Sequence, residues 1–147
     1  MKKTIQFSII ALALLALPQF VFSQGEMVVV VNSDNPAATM TASQVKLTYL
    51  RKINKRWKEL NKNIVPVDRK GDSDTRKKFL KDVLQLTSDE VTRYFTEREY
   101  QNAEAPPVRF GTDEEIISFV EANPGAIGYV SKSSIKAGSK VKVILSL

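Results

Sequence analysis

The residues most able to do chemistry lie in the segment from Ile64 to Phe79. Arg69 stands in a polar loop after an apolar run, and Ser73 and Thr75 follow where a helical pattern begins. A helix N-terminus carries about half a positive charge and several unpaired N–H donors, so it attracts anions. An arginine guanidinium adds a planar set of donors that suits phosphate or carboxylate oxygens. The spacing therefore predicts an oxyanion site made by Arg69, Ser73 and Thr75.

Each of these side chains also has a purely structural role open to it. Ser73 can cap the following helix, and Thr75 can bond to its own backbone. Arg69 can form an internal ion pair with Asp72 or Asp74 instead of binding an external anion. The residue types alone leave both alternatives open.

Strand and helix patterns alternate along the chain, which predicts one α/β domain with a sheet of about five strands and helices on its faces. Capping boxes, in which a Thr and a Gln or Glu three residues later bond each other's backbone, mark three helix starts. Pro66 inside the second strand predicts an edge position or an early end. The predicted strands are 27–31, 64–67, 108–110, 126–130 and 141–145, and the predicted helices begin at Thr41, Ser73, Thr87 and Thr112, the first two ending near Lys52 and Leu84.

Three segments together resemble the substrate-binding proteins of phosphate ABC transporters. Residues 69–75, RKGDSDT, are similar to the family's R-x-D-G-S-G-T segment. Residues 44–57, QVKLTYLRKINKRW, are similar to its helix, basic turn and Trp, and residues 123–130, NPGAIGYV, to its G-A-I-G-Y strand. The resemblance implies a short member of the family with a single periplasmic-binding-protein-like lobe. It also implies phosphate or a similar oxyanion as the ligand, and a membrane transporter as a partner.

Asp74 departs from the resemblance, because the family has Gly at this position. A glycine lets phosphate approach the backbone closely, whereas a carboxylate adds bulk and negative charge. Asp74 can take the place of the anion at its own helix start, or it can accept a hydrogen bond from a protonated phosphate. Asp74 therefore belongs to the predicted site together with Arg69, Ser73 and Thr75.

The length leaves room for one lobe, whereas the ligand of the full-length family lies between two lobes. We expect either weak anion binding, or closure of the site by a second copy or a partner protein. The alternative is an envelope adaptor that keeps the lobe fold without high-affinity ligand binding. Residues 32–36, NSDNP, follow the first strand and either add donors near the site or form a plain turn.

The N-terminus has the layout of a secretory signal peptide. Lys2 and Lys3 precede an apolar run at residues 9–17, and Ser23 offers a small residue for cleavage. The run is shorter than the about 20 residues that a membrane-spanning helix needs. We expect residues 1–23 to be a signal peptide and residues 24–147 to be one domain, periplasmic or secreted. The absence of cysteine excludes a lipid anchor on an N-terminal Cys. An uncleaved N-terminal anchor is the alternative.

The formal net charge is +6 at pH 7, which favours anionic ligands without selecting one. Basic residues cluster at 46–62 and 69–81. Aromatic residues are not interleaved with these charges, and an exported chain rarely meets nucleic acid, so we expect no nucleic-acid partner. A solvated basic face is the plainer interpretation of the first cluster.

The composition argues against an enzyme. The chain has neither His nor Cys, which removes the usual general base, the thiol nucleophile and most transition-metal ligands. Asp68, Asp72 and Asp74 lack the spacing of a calcium-binding loop. We therefore expect no catalytic activity, no metal and no cofactor.

Overall fold

A mixed sheet of five strands organises the fold in the computed structural model, which describes residues 25–147. The predicted signal peptide lies outside the described residues. The strands are β1 Met27–Asn32, β2 Arg56–Trp57, β3 Lys62–Asn63, β4 Val65–Arg69, β5 Val108–Phe110, β6 Ala126–Ser131 and β7 Val141–Ser146.

The sheet has the strand order β5-β4-β6-β1-β7, and β2 and β3 form a separate two-stranded hairpin. Strand β4 runs parallel to both β5 and β6, whereas β1 is antiparallel to β6 and β7. The predicted α/β class and the predicted sheet of about five strands are confirmed.

Four α-helices of the described residues cover the sheet, and their starts follow the predicted caps. Each of the three capping boxes is formed, with Thr41, Thr87 and Thr112 as N-caps. Ser73 caps the remaining helix through its side chain. The helices are α1 Ala42–Tyr49, α2 Asp74–Phe79, α3 Ser88–Asn102 and α4 Asp113–Ala122, and a π-helical turn, Leu80–Leu84, continues α2.

Helix α1 ends earlier than the sequence pattern predicts. The prediction extended it to Lys52, but the helix stops at Tyr49. The Leu50 N–H closes the last turn on the Lys46 carbonyl at 2.9 Å, and Arg51 then adopts a left-handed φ of 56°. This change of backbone direction leads the chain into the β2–β3 hairpin.

The core lies on both faces of the sheet, because alternate residues of each strand point to opposite sides. On one face Val29 and Tyr129 pack against α1, α2 and α3. On the other face Val28 and Val130 pack against α4. Every residue of β1 is buried, as expected for a continuous apolar strand between two neighbours.

Strand β4 is internal and continues to Arg69, so neither the edge position nor the early end predicted from Pro66 is correct. Pro66 pairs with Ile127 of β6 on one side, while pairing with β5 on the other side begins only at Val67. The missing N–H of Pro66 therefore falls before the start of β5, where the sheet has no ladder bond to lose.

Candidate functional site

The candidate site lies at the carboxyl ends of the parallel strands β4, β5 and β6. Arg69, at the end of β4, is in register with Phe110 of β5. Helix α2 starts shortly after β4, and α4 starts shortly after β5. In open α/β sheets, ligands bind outside the carboxyl ends of such strands. The topology therefore places two helix starts and the end of β6 around Arg69.

Ser73 is the N-cap of α2, as predicted. Its Oγ accepts a hydrogen bond from the Arg76 N–H at 3.2 Å, and its carbonyl accepts from the Lys77 N–H at 2.9 Å. Asp74 follows in the first turn and is exposed. The Ser73 hydroxyl hydrogen is not used by the cap, so it stays available as a donor.

Thr75 contacts the end of β6. Its Oγ1 lies 3.1 Å from Oγ of Ser131, and either hydroxyl can be the donor. From the sequence, we expected the Thr75 hydroxyl to bond an anion or its own backbone. The observed contact with the Ser131 side chain differs from both. Ser131 was not among the predicted site residues, because its position beside Thr75 depends on how β6 pairs with β4.

Arg69 already has two acceptors within the protein. Its Nε donates to the Gly111 carbonyl at 3.0 Å, and its Nη1 forms an ion pair with the Asp113 carboxylate. The ion pairs of the described residues include none between Arg69 and Asp72 or Asp74, so these two partners, predicted as the alternative to an external anion, are wrong. Asp72 instead lies 3.9 Å from Nη1 of Arg76. The internal partner of Arg69 is Asp113, in the first turn of α4.

Asp113 is the residue of the site that sequence reasoning missed. Its second oxygen, Oδ2, accepts from the Ser131 N–H at 3.1 Å and from the Ser134 hydroxyl at 2.8 Å. It therefore joins α4 to the ends of β4 and β6. The available signal was an acidic residue at the first position after the N-cap Thr112, but its partner is set by the strand order.

Asp68 fixes the end of β4 from within the core. Its Oδ1 accepts from the Tyr129 hydroxyl at 2.5 Å and from the Arg69 N–H at 2.8 Å. Its carboxylate also pairs with Nε of Arg76 at 3.4 Å and Nε of Arg109 at 3.2 Å. Asp68 is 5% exposed and Arg76 is 3% exposed, so these two side chains are shielded from solvent, whereas Arg109 reaches the surface.

The Tyr129 phenol stays protonated in this network. Burial raises its pKa above the ordinary value, and the Asp68 carboxylate raises it further. The ring also stacks on Phe79, with centroids 3.9 Å apart. The position of the Arg69 backbone is thereby tied to rigid packing behind the sheet edge.

The loop at residues 32–36 lies at the opposite edge of the sheet, because β1 is antiparallel to β6. Asn32 donates to the carbonyls of Val120 and Glu121 at 3.0 and 2.8 Å, and its Oδ1 accepts from the Asp34 N–H at 2.9 Å. The interpretation as a plain turn is confirmed, and the suggestion of donors near the anion site is wrong.

Chemically, the site can offer hydroxyl and N–H donors together with a shared guanidinium. Ser73, Thr75 and Ser131 supply three hydroxyls, and Arg69 supplies the charge.

Residues 25–147 contain no cluster of three or more side chains that could bind a metal ion. No helix among these residues is long and apolar enough to cross a membrane.

Comparison with known proteins gives a consistent relationship. Residues 19–144 match a family model described as a PBP superfamily domain, and no curated protein matches the sequence significantly. The chain is similar to a structure described as a phosphate ABC transporter substrate-binding protein with bound phosphate from Clostridium perfringens, at 26% identity and a TM-score of 0.63. It is also similar to an ABC-type phosphate transport receptor from Vibrio cholerae, at 26% identity and a TM-score of 0.62.

These alignments cover 82% of this chain but only 45% and 46% of the two larger chains. The aligned part of this chain therefore spans less than half the length of the structures it matches. PstS from Borrelia burgdorferi, at 14% identity and a TM-score of 0.58, shares the fold over 82% of this chain and 47% of its own.

Proposed function

The chain belongs to the PBP superfamily, and on this premise we propose that it is an exported solute-binding module for phosphate or a similar oxyanion. The observation that carries the proposal is the meeting of Arg69, the Ser73-capped helix start and Thr75 at the carboxyl edge of β4 and β6. The two structural relatives at 26% identity are named for phosphate transport, which supports phosphate as the first candidate ligand.

The proposed site consists of Arg69, Ser73, Asp74 and Thr75. An anion there receives hydrogen bonds from the Ser73 and Thr75 hydroxyls and shares the Arg69 guanidinium with Asp113. Charge-assisted bonds of this kind are about twice as strong as neutral ones, so Arg69 contributes most to affinity. Asp74 opposes the anion through its charge, or accepts a hydrogen bond from a protonated oxyanion.

A second candidate function is an envelope adaptor that keeps the fold without high-affinity ligand binding. The observation in its favour is that Asp113 already neutralises Arg69, while Asp74 adds a negative charge to the same edge. The part of this chain that aligns covers only 45% and 46% of the two structural relatives, so the proposed site here rests on residues of one lobe.

Calorimetric titration of the protein with phosphate, sulfate and a dicarboxylate separates the two functions. The binding module predicts saturable heat with at least one of these anions, and loss of that heat in Arg69→Ala. Arg93→Ala, at an exposed position on α3, is the matched control and should bind like the wild type. The absence of heat with all three anions at millimolar concentrations would favour the adaptor.

We place the protein outside the cytoplasm, periplasmic or secreted and without a lipid anchor, after cleavage behind Ser23. The basic start, the apolar run and the small residue of the N-terminal sequence support this proposal. Intact-mass measurement of the exported protein should give a chain beginning at Gln24. Recovery of residues 1–23 in the membrane-bound protein would contradict it.

We propose binding rather than catalysis, with no cofactor or nucleic acid. The relatives are named as a substrate-binding protein and a transport receptor, which supports a transport-related role. The proposed partners are a membrane transporter or another envelope protein, or a second copy that closes the open side of the site.

A further inference from the structure

The hairpin side of the molecule has a concentration of basic residues. Residues 46–62 contain seven basic residues and one acidic residue, which gives a net charge of +6. The whole chain also has a net charge of +6, so the other residues together add no net positive charge. The segment comprises the end of α1, the β2–β3 hairpin and the turns that join them. This surface is therefore far more basic than the rest of the described chain.

Few of these charges are neutralised within residues 25–147. Lys55 forms an ion pair with Glu104, whereas Arg51 and Arg56 donate to the carbonyls of Ile64 and Asn61 at 2.8 and 3.1 Å. A carbonyl bond satisfies a donor without cancelling its charge. The described ion pairs include none for the remaining exposed lysines of the hairpin region: Lys52, Lys58 and Lys62.

A groove of about 280 Å³ lies within this basic surface, between α1 and the hairpin. Met40, Trp57 and Ile64 line it with apolar atoms and connect it to the core, and Ile53 adds an apolar side chain that is 37% exposed. Its rim carries cationic side chains, Arg56 and Lys58, and a single carboxylate, Glu59.

The groove is held in place by backbone contacts. The indole N–H of Trp57 donates to the Gly125 carbonyl at 3.0 Å, and the Val65 N–H donates to the same oxygen at 2.9 Å. A Cβ on Gly125 would lie 2.2 Å from the Asn63 carbonyl oxygen, so the hairpin backbone rests directly on this glycine. A rigid surface loses little conformational freedom when a partner binds.

We propose that this groove is a docking site for an acidic segment of a partner protein that inserts one apolar side chain. The cationic rim provides charge complementarity, which accelerates association and orients the partner. The apolar floor provides the pocket for a single anchor residue. This site lies at the opposite end of β6 from Ser131, so the inference is independent of anion binding near Arg69.

A protein segment fits the groove better than an anionic bilayer. A bilayer surface is flat on this scale and leaves a concave groove unfilled, whereas one side chain fills it. The Trp57 ring is half-buried and its N–H is bonded inside the protein, so the ring is not free to insert among lipid headgroups.

The test uses Trp57 as the probe, because it is the only tryptophan in the chain. The purified protein is titrated with a nine-residue peptide of Glu and Asp that has one central Leu, and the fluorescence and the heat are recorded. The same peptide with Ser in the centre, and vesicles of phosphatidylglycerol, are titrated in parallel. The proposal predicts that the Leu peptide binds most tightly, shifts the Trp57 emission and binds more weakly at higher salt.

Two variants and a control locate the binding. Lys58→Glu reverses a rim charge and should weaken Leu-peptide binding by about threefold or more. Ile53→Ser should weaken binding of the Leu peptide without affecting the Ser peptide. Lys136→Glu makes the same charge change beyond the other end of β6 and should alter affinity by less than about twofold.

Several results would overturn the proposal. These are no binding of the Leu peptide at millimolar concentration, equal binding of the Leu and Ser peptides, and equal loss in Lys136→Glu and Lys58→Glu. Tighter association with the vesicles than with the Leu peptide would assign the surface to a membrane instead.

Discussion

At the scale of single residues, Arg69 is bonded on two sides by Gly111 and Asp113. An anion that binds beside it must share the guanidinium, so affinity depends on the remaining charges at the sheet edge. Asp74, exposed in the first turn of α2, is one such charge.

Replacing Asp74 with Gly should strengthen phosphate binding. The change removes a negative charge and a Cβ from the helix start, and the loss of one repulsive contact is worth on the order of 1 kcal/mol, or several-fold in affinity. Calorimetry of the two proteins measures the difference.

Asp74→Asn is the matched control, since it removes the charge but keeps the size of the side chain. Equal gains in both variants identify charge as the cause, and a gain only in Asp74→Gly identifies bulk. Weaker binding in Asp74→Gly would mean that Asp74 accepts a hydrogen bond from the ligand.

The buried Tyr129 phenol makes stability depend on alkaline pH. Burial and the Asp68 carboxylate raise its pKa above the usual value of 10.0, which applies to the unfolded chain. Above about pH 10 the unfolded state releases a proton that the folded state keeps, so the free energy of unfolding falls by about 1.4 kcal/mol per pH unit for this group. Tyr129→Phe lacks this pH-dependent contribution. The free energy of unfolding of the wild type, expected to be the higher one at neutral pH, should therefore approach that of the variant above about pH 10.

Denaturant unfolding at a series of pH values from neutral to alkaline measures that difference. Tyr100→Phe, at a side chain that is 94% exposed, controls for the loss of an exposed hydroxyl. A wild-type advantage over Tyr129→Phe that is the same at every pH would show that the phenol does not contribute in this way.

Part of the candidate site was predictable from residue types. The cap by Ser73 was predictable because it needs only a Ser and the backbone N–H of a residue three positions later. The place of Arg69 near the end of β4 was predictable because the apolar run directly before it indicates the strand. Asp113 and Ser131 were not predictable, since both reach the site through the pairing of β5 and β6 with β4. Short-range rules contain no information about that strand order.

At the scale of elements, α4 packs closely on β6 because Gly128 has no side chain. A Cβ at this position would lie 2.8 Å from Cγ2 of Ile116 and 3.4 Å from Cγ2 of Val120. Gly128→Ala should therefore force α4 away from the sheet and reduce the free energy of unfolding by about 1 to 3 kcal/mol.

Gly111→Ala is the control for this variant. Its new methyl group would meet only the Glu115 carboxylate at 3.3 Å, a flexible side chain that can move, so the expected loss is below about 1 kcal/mol. Thermal or denaturant unfolding of the three proteins gives the comparison. A Gly128→Ala protein as stable as the wild type would contradict the close-packing argument.

Local signals predicted most helices and strands but not their irregularities. The three capping boxes each start a helix, because the reciprocal bonds need only residues three apart. The β2–β3 hairpin was missed, since two-residue strands have too short a pattern to detect. The edge position inferred from Pro66 failed because β5 is short, which the sequence of β4 does not reveal.

At the scale of the whole molecule, the lobe formed by residues 25–147, taken by itself, leaves one side of a bound anion open to water. Charge-assisted contacts are weaker there than in a closed site, so a monomer should bind phosphate in the millimolar to high-micromolar range, about 4 to 6 kcal/mol. Tight binding requires a second copy or a partner to cover Arg69, Ser73 and Thr75.

Light scattering during a phosphate titration tests this expectation, with affinity measured on the same samples. A rise in mass together with tight binding would identify closure by a second copy. Submicromolar affinity in a particle that remains monomeric would contradict the argument, because one lobe would then form a complete site.

The position of β1 in the sheet has a consequence for how the chain folds. Within residues 25–147, β1 is the first strand, and its two neighbours, β6 and β7, are the last two. Its pairings join residues that are 96 positions apart (Val31 with Ile127) to 118 positions apart (Val28 with Ser146). Contacts of such long range must close a large loop before they stabilise anything, which slows folding. During synthesis, the continuously apolar strand β1 therefore has no strand partner until β6, about one hundred residues later, has been made.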